Sequence, residues 1–441
     1  MRKKQGTIQE ATIARLGHDG RGIAQENNGK IIFIRGALPQ ERVNYKLLRS
    51  SKKFIEGTAV EILQPAANRI VAKCPHYGEC GGCSLQHLST SDQLNLKQHT
   101  LLEQLAHFAK ITPPPLMPAI TGEPWSYRTK ARLGVKYLQK YQQVIIGFRQ
   151  INGRYLADLK HCDILHPKVA ALLLPLRELI LNLSIPDKIP QIEVAVGEQC
   201  TTLIFRHLDP FTNEDHTRLC AFAKKYSLEL ILQPNKPQQP QKIWPVRDSP
   251  LLSYGLPELQ LELLFNPTDF TQVNQEVNRK MINRALELLA LESSDFVLDL
   301  FCGLGNFSLP IARFADTVIG VELDQQMVAQ AKKNAAHNQL HNCQFYAADL
   351  TKELAKQPWL EFPISKALID PPRSGAQEII PIICKLGLQR LVYVSCNPAT
   401  FARDAGLLQQ HGFILTQCGL IDMFPQTSHV ETIGCFERKQ K

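Results

Sequence analysis

An α/β protein is predicted, with a Rossmann-like seven-stranded sheet in residues 266–441, a small β-barrel in residues 1–66 and an α+β segment over residues 67–265. Three observations carry this reading. Strand-like and helix-like runs alternate through the last part of the chain. The first sixty residues break into short strands at Gly and Asp turns. A cysteine- and glycine-rich stretch opens the middle. At 441 residues the chain is long enough for two or three separate cores.

Composition narrows the class. Hydrophobic residues make up 44% and charged residues 21%, as in a soluble globular protein. No run of 18 apolar residues is present, so no transmembrane helix is expected. Residues 1–17 are basic without an apolar stretch, which is not a secretory signal. A cytoplasmic monomer with no obligate protein partner is the expectation. The net charge of +9 is concentrated: residues 1–60 hold twelve Lys/Arg against five Asp/Glu. Such a local excess suits a polyanion such as RNA. The twelve cysteines of a cytoplasmic chain should not form a disulfide framework. Cys200, Cys220 and Cys343 lie among apolar neighbours and read as small core residues.

In the first segment, runs at residues 7–15, 30–34, 42–48 and 57–63, with the turn Gly17-His18-Asp19-Gly20, read as about five short strands. Many short strands in so little chain predict a closed barrel. The pattern resembles a TRAM domain, an OB-like module, and that resemblance implies RNA binding.

The second segment opens with Cys74-Pro75-His76-Tyr77-Gly78-Glu79-Cys80-Gly81-Gly82-Cys83. A helix is predicted over residues 90–110, with Leu94, Leu101, Leu105 and Phe108 on one face. Pro113, Pro114 and Pro115 end it. Strands are predicted at 126–137 and 143–149, and the Pro- and Gln-rich residues 233–250 as an exposed loop.

In the third segment, strands are predicted at 296–300, 318–322, 343–346, 367–370, 391–395, 413–420 and 431–436, with helices between the first five. The last two should form an antiparallel hairpin at the sheet edge. Seven strands with a terminal hairpin is the arrangement typical of S-adenosylmethionine-dependent methyltransferases.

The ligand chemistry follows from the strand ends. Val297-Leu298-Asp299-Leu300-Phe301-Cys302-Gly303-Leu304-Gly305-Asn306-Phe307 is a strand entering a glycine turn. Gly303 and Gly305 let the backbone bend and approach a ligand. Glu322 ends the next strand, where an acid can accept hydrogen bonds from ribose hydroxyls. Asp349 ends the third strand and could hold an adenine edge. Ser308 stands where a dinucleotide fingerprint has its third glycine, which favours a ligand without phosphates. Asp370-Pro371-Pro372-Arg373 follows the fourth strand, beside the expected methyl donor. Loops of this kind also serve enzymes that methylate base nitrogens.

Ser395-Cys396-Asn397-Pro398 follows the fifth strand. C5 of uracil is a poor nucleophile. A thiolate added at C6 makes C5 an enolate carbon able to attack a methylsulfonium. A base must then remove the C5 proton, and Glu431, opening the last strand, is the candidate.

The segments FTQVN (residues 270–274), LDLFCGLGNF, DPPRSG, VSCNPATFARD and DMFPQTSHVE resemble the uracil-C5 RNA methyltransferase family. The resemblance implies that Gln272, Phe301, Asn306, Glu322, Asp349 and Asp370 surround S-adenosylmethionine. It implies Cys396 as nucleophile and Glu431 as proton acceptor.

Cys74, Cys80 and Cys83 have the spacing C-x5-C-x2-C, which by itself leaves zinc and an iron–sulfur cluster open. Cys162 is the candidate fourth ligand, with His76 competing if the metal is zinc. The family resemblance again bears on this. A subgroup acting on 23S ribosomal RNA carries both a TRAM domain and a four-cysteine [4Fe-4S] cluster, and its expected target is the uridine at position 1939. Another rRNA or tRNA uridine is an alternative, and a base-nitrogen methyltransferase a further one. A non-catalytic iron–sulfur RNA-binding protein is the reading from a different class. Trp125-Ser126-Tyr127-Arg128-Thr129-Lys130-Ala131-Arg132 mixes aromatics and cations, with Arg128, Lys130 and Arg132 on one strand face. The target base should flip out to reach the thiol.

Overall fold

The computed structural model describes residues 6–151, 153–235, 240–245, 251–352 and 357–439. The chain packs as two compact units. One comprises Met1–Thr100, Phe148–Ala157 and Phe424–His429; the other comprises Leu101–Gly147, Asp158–Met423 and Val430–Lys441.

The first unit contains the barrel. Its six strands are β1 (Ile8–Thr12), β2 (Arg15–Leu16), β3 (Gly22–Gln25), β4 (Ile31–Arg35), β5 (Arg42–Ser50) and β6 (Phe54–Gln64), paired in the order β1-β5-β6-β4-β3-β2. The ring closes because β1 and β2 are consecutive. Between them Ile13 N–H donates to Glu41 O at 2.9 Å and Ala14 N–H to Ile23 O at 2.9 Å. Burial alternates along β4 and β5, as a period of two requires. The inward residues Ile32, Ile34, Val43, Tyr45, Leu47 and Ile55 make the core. Gly57 is needed opposite Tyr45, since a Cβ there would lie 2.4 Å from the ring. The run expected over residues 7–15 divides into β1 and β2, and β3, past the turn at residues 17–21, lies where no strand was expected.

In the same unit the cysteine loop pairs with residues 148–157. Gly81 N–H donates to Arg149 O at 2.9 Å and Ile151 N–H to Glu79 O at 2.9 Å.

The predicted helix spans Thr90–Gln104 and continues as a π-turn over Leu105–Ala109. Leu101 and Leu105 are buried, but Phe108 is 53% exposed and Ala109 is buried instead. The wider π-turn inserts a residue and advances the helical register, so Phe108 does not share the apolar face expected of it.

The second unit begins with β7 (Leu116–Ile120). A mixed sheet follows, built from β8 (Lys130–Leu138), β9 (Gln143–Gly147), β10 (Gln191–Val196), β11 (Thr201–His207), β12 (Glu229–Pro234) and β13 (Gln241–Trp244), in the order β13-β12-β11-β10-β8-β9. The stretch 233–250, expected to be loop, thus contributes β13, antiparallel to β12. Residues 236–239 and 246–250 of it lie outside the described residues. A hairpin, β14 (Leu252–Leu256) and β15 (Leu261–Phe265), comes next.

The large sheet contains β16 (Phe296–Leu300), β17 (Thr317–Glu322), β18 (Cys343–Ala347), β19 (Lys366–Ile369), β20 (Arg390–Ser395), β21 (Phe413–Ile421) and β22 (Glu431–Arg438). Its order is β18-β17-β16-β19-β20-β22-β21-β7. The first five of these are parallel, so their carboxyl ends share one edge. The terminal hairpin is antiparallel, as expected, but does not lie at the edge. β22 inserts between β20 and β21, and β7 covers β21 in parallel. Leu298, Leu300, Ile319, Val321, Ile369, Leu391 and Phe401 form the core of this sheet. Among the described residues, no helix is long and apolar enough to cross a membrane. Cys200, Cys220 and Cys343 are half-buried, while Cys302, Cys384, Cys418 and Cys435 are buried, as are Cys80 and Cys162 of the cysteine cluster.

Candidate active site

The glycine turn leaves β16 with three residues in the left-handed region: Phe301 at φ 63°, Gly303 at φ 56° and Gly305 at φ 96°. The first is unusual for a side chain with a Cβ and is held by neighbours. Phe301 N–H and Cys302 N–H both donate to Val321 O, at 2.8 and 3.2 Å. Gly305 is needed for its φ of 96°, which strains any residue with a Cβ, and a Cβ there would also push the Leu309 side chain aside.

Glu322 sits beside this turn. Its Oε2 accepts from Gly303 N–H at 3.1 Å, and its Oε1 from Leu323 N–H at 2.7 Å and Asp324 N–H at 3.1 Å. These bonds aim the carboxylate and leave it some capacity to accept more. Ser308, in place of a third glycine, donates from Oγ to Asp299 Oδ2 at 2.5 Å. Burial pushes Asp299 up to about 7. The hydroxyl gives one oxygen of a buried acid beneath the turn its hydrogen bond, which is the local reason for a serine there.

Asn306 is fixed by two residues that sequence reasoning missed. Its amide exchanges a pair of hydrogen bonds with Asn278, each 3.0 Å, and its Oδ1 also accepts from Tyr254 O–H at 2.7 Å. Asn278 lies on the helix Gln275–Leu289 and is buried among that helix's apolar positions. An asparagine at a core position of an amphipathic helix was the available signal. Asn274 caps this helix, its side chain accepting from Val277 N–H at 3.3 Å. The preceding Gln272 is half-buried, between exposed Phe270 and the Val273 carbonyl, which accepts from Thr129 N–H at 2.9 Å.

Asp349 closes its own turn after β18. Hydrogen bonds from Thr351 and an ion pair to Lys352 at 2.9 Å hold it down to about 2. Asp370 follows β19, with its N–H donating to Leu300 O at 3.3 Å. Burial pushes its carboxyl up to about 7.

Cys396 follows β20 at the same sheet edge. Ser395 pairs with Thr432 across β20 and β22. Continuing that register by one residue sets Cys396 opposite Glu431, which is 6% exposed. Burial raises the Cys396 pKa, and the charges of Glu431 and Asp370 raise it further. Arg373 acts in the opposite direction. Asn397 caps the helix Pro398–Gln410, with Pro398 in its first turn, so the chain bends sharply just past the thiol.

Two bonds lock the Asp370 loop to this bend. Asn397 Nδ2 donates to Arg373 O at 3.1 Å, and Arg403 Nη2 donates to Ser374 O at 2.8 Å. Asp404, wholly buried, accepts from Ala376 N–H at 2.8 Å, Tyr393 O–H at 2.7 Å and Arg403 Nε at 2.8 Å. Arg403 and Asp404 thus clamp the loop, a role invisible in the motif itself. Asp370, Cys396 and Glu431 come together by this means, and the glycine turn and Glu322 lie along the same edge.

The proposed cationic strand face is less free than expected. Burial alternates from Tyr127 to Val135, which puts Arg128, Lys130 and Arg132 on the outward side. Lys130, however, donates to Asp269 O, and burial lowers it to about 8. Arg132 pairs with Glu193 at 3.2 Å.

In the cysteine loop, Cys74 N–H donates to Gln86 Oε1 at 3.0 Å and Gly82 N–H to Cys80 Sγ at 3.4 Å. A Cβ on Gly82 would fit tightly, 3.2 Å from Phe148 Cδ2 and 3.4 Å from Cys80 Sγ. Cys80 is buried, and Cys74 and Cys83 half-buried; Cys162, in the other unit, is buried. Among the described residues, no three His, Cys, Asp or Glu side chains are gathered so as to hold a metal ion. The donor chemistry suits thiolate ligation, but the arrangement does not present a closed site, so no catalytic step is assigned to one.

A parallel sheet with this strand order, a glycine turn after its first strand and an acid after its second defines a class I methyltransferase. A model described as tRNA (Uracil-5-)-methyltransferase matches residues 93–439, and one described as TRAM domain matches residues 2–60. The chain belongs to the uracil-5-methyltransferase family. It is 50% identical to the 23S rRNA (uracil(1939)-C(5))-methyltransferase RlmD of Nitrosococcus oceani, over 98% of this chain and 97% of that one. The protein of the same name from Alkalilimnicola ehrlichii is 46% identical, over 98% and 96%. A crystal structure of Pyrococcus abyssi tRNA (uracil-54, C5)-methyltransferase in complex with S-adenosyl-L-homocysteine aligns with a TM-score of 0.72 at 19% identity. It covers 97% of this chain and 100% of that one, a likeness of fold.

Proposed function

We propose that this protein methylates C5 of a uracil in 23S ribosomal RNA, at the uridine that its relatives' names number 1939. The observation that carries the chemistry is that Cys396 and Glu431 come one residue past the last paired residues, Ser395 and Thr432, at the ligand edge of the sheet, near enough for the Glu431 charge to raise the thiol's pKa. S-adenosylmethionine, when bound, supplies a methyl group on a sulfonium. Gln272, Phe301, Asn306, Glu322, Asp349 and Asp370 surround it in this reading.

Cys396 Sγ adds to C6 of the flipped base, and the electron pair of the C5–C6 double bond moves to C5. C5 then takes the methyl group, leaving S-adenosylhomocysteine. Glu431 accepts the C5 proton, the double bond re-forms and the thiolate leaves. The Asp370 loop, held by Asn397 and Asp404, positions this chemistry. An rRNA substrate places the protein in the cytoplasm. Mapping methylated uridines by mass spectrometry in 23S rRNA from cells lacking the protein tests the target. Loss of the methyl group at that single uridine is expected; an unchanged map would overturn it.

We also propose that Cys74, Cys80, Cys83 and Cys162 hold a [4Fe-4S] cluster with a structural role. Support comes from three thiols in one glycine-lined loop and the N–H···S bond to Cys80. Anaerobically purified protein should contain about four iron and four acid-labile sulfide per chain. Stoichiometric zinc without sulfide would contradict this.

A further inference from the structure

The barrel carries a face that the active-site chemistry does not use. β3 and β4 pair Ile23 with Phe33, and β4 and β6 pair Ile31 with Phe54 and Phe33 with Glu56. Ile23, Ile31, Phe33 and Phe54 therefore share the outer surface of three adjacent strands, opposite the core residues Ile32, Ile34 and Ile55. Ile31 is 39% exposed, and both phenylalanines are half-buried.

Arginines lie on these rings. The Arg21 guanidinium sits 4.5 Å from the centroid of Phe33, and that of Arg49 lies 5.9 Å from Phe54. The two rings meet edge to face, 6.0 Å apart at 75°. Arg21 is held there by Asp19 at 2.6 Å and Glu56 at 3.1 Å. Lys30 Nζ reaches Ser50 Oγ at 3.1 Å, which draws the β3–β4 turn to the β5–β6 turn. That second turn exposes Lys52 and Lys53 immediately before Phe54.

We propose that this face is a stacking platform for a single-stranded stretch of the RNA substrate. Nucleobases lie on Phe54 and on the Arg21–Phe33 pair, while Lys52, Lys53 and Arg49 meet the phosphates. Apolar rings alone would suit a protein partner as well. The twelve Lys/Arg against five Asp/Glu in residues 1–60 select a polyanion, and flat guanidinium and phenyl surfaces select unpaired bases over a duplex. The platform rests on the reading of the protein as an enzyme acting on RNA, and it adds a mode of contact that separates stacking from charge.

The test uses the full-length protein with a short unstructured oligoribonucleotide carrying 2-aminopurine, and a duplex of equal length, across a range of salt. Phe54→Ala should weaken single-strand binding about tenfold, without changing the salt slope or duplex binding. It should also abolish the change in 2-aminopurine fluorescence, and Phe54→Trp should restore both. Arg21→Ala should repeat the loss, which covers the case of a poorly folded Phe54 variant. Lys52→Ala with Lys53→Ala should instead lower the salt slope by about 1.4. Single-strand affinity within twofold of wild type in both Phe54→Ala and Arg21→Ala, or equal loss on the duplex, would overturn the platform. Absence of uridine methylation with stacking intact would count against the enzyme reading alone.

Discussion

Replacing Glu431 with Gln is expected to leave the protein covalently joined to its RNA. Glutamine keeps the size of the side chain and its capacity to hydrogen-bond but cannot take the C5 proton. In the proposed sequence the thiolate cannot leave until that proton has gone, so the methylated adduct should accumulate. A shifted band in denaturing gels, dependent on S-adenosylmethionine, would show it. Turnover should fall by about 10³ or more, within the range of a lost general base. The same substitution has a second, independent consequence. The Glu431 charge raises the Cys396 pKa, so its removal should lower that pKa and increase the thiolate fraction at neutral pH. Alkylation of Cys396 at pH 7 should therefore quicken in Glu431→Gln while turnover collapses. Slower alkylation would place the carboxylate elsewhere.

Cys396→Ala should abolish methyl transfer while S-adenosylmethionine still binds. The substitution removes the sulfur and nothing from the glycine turn, Glu322 or the Asn306–Asn278 pair. Equilibrium dialysis should return a wild-type dissociation constant. Activity should fall by at least about 10⁴, because without addition at C6 the C5 carbon lacks the electron density to attack a sulfonium. A methyltransferase directed at a base nitrogen would keep most of its rate in this variant, so the experiment separates the two chemistries. In wild type, burial and two acids hold the Cys396 thiol above an ordinary cysteine, so the free enzyme carries little thiolate at neutral pH. The rate at low RNA concentration should accordingly rise with pH through the neutral range.

The inner parallel strands β16, β17, β19 and β20 were legible because each is buried on both faces and reads as an apolar run. Val297–Leu300 into Phe301 and Val318–Val321 into Glu322 are examples. The thiol and its partner were legible for the same reason, since both stand at strand ends. β7 was not. It contains Pro118 and follows three prolines, and only an edge strand tolerates a residue that cannot donate to the ladder. The insertion of β22 between β20 and β21 was hidden as well, because local pattern reports a hairpin but not which strand its far side meets. β13 lay inside a Pro- and Gln-rich stretch whose composition reads as loop, and β12 supplies the pairing. Within the site, Tyr254, Asn278, Arg403 and Asp404 escaped notice because each acts through a contact more than a turn away in sequence. Asp404 reaches Ala376 across 28 residues, and Tyr254 reaches Asn306 across 52.

The most direct measurement is the mass of the peptide that carries RNA after digestion of the Glu431→Gln adduct. A single methylated uridine attached to the peptide containing Cys396 is the predicted result. A nucleotide on any other side chain, or a variant that releases product without ever holding it, would contradict the covalent route.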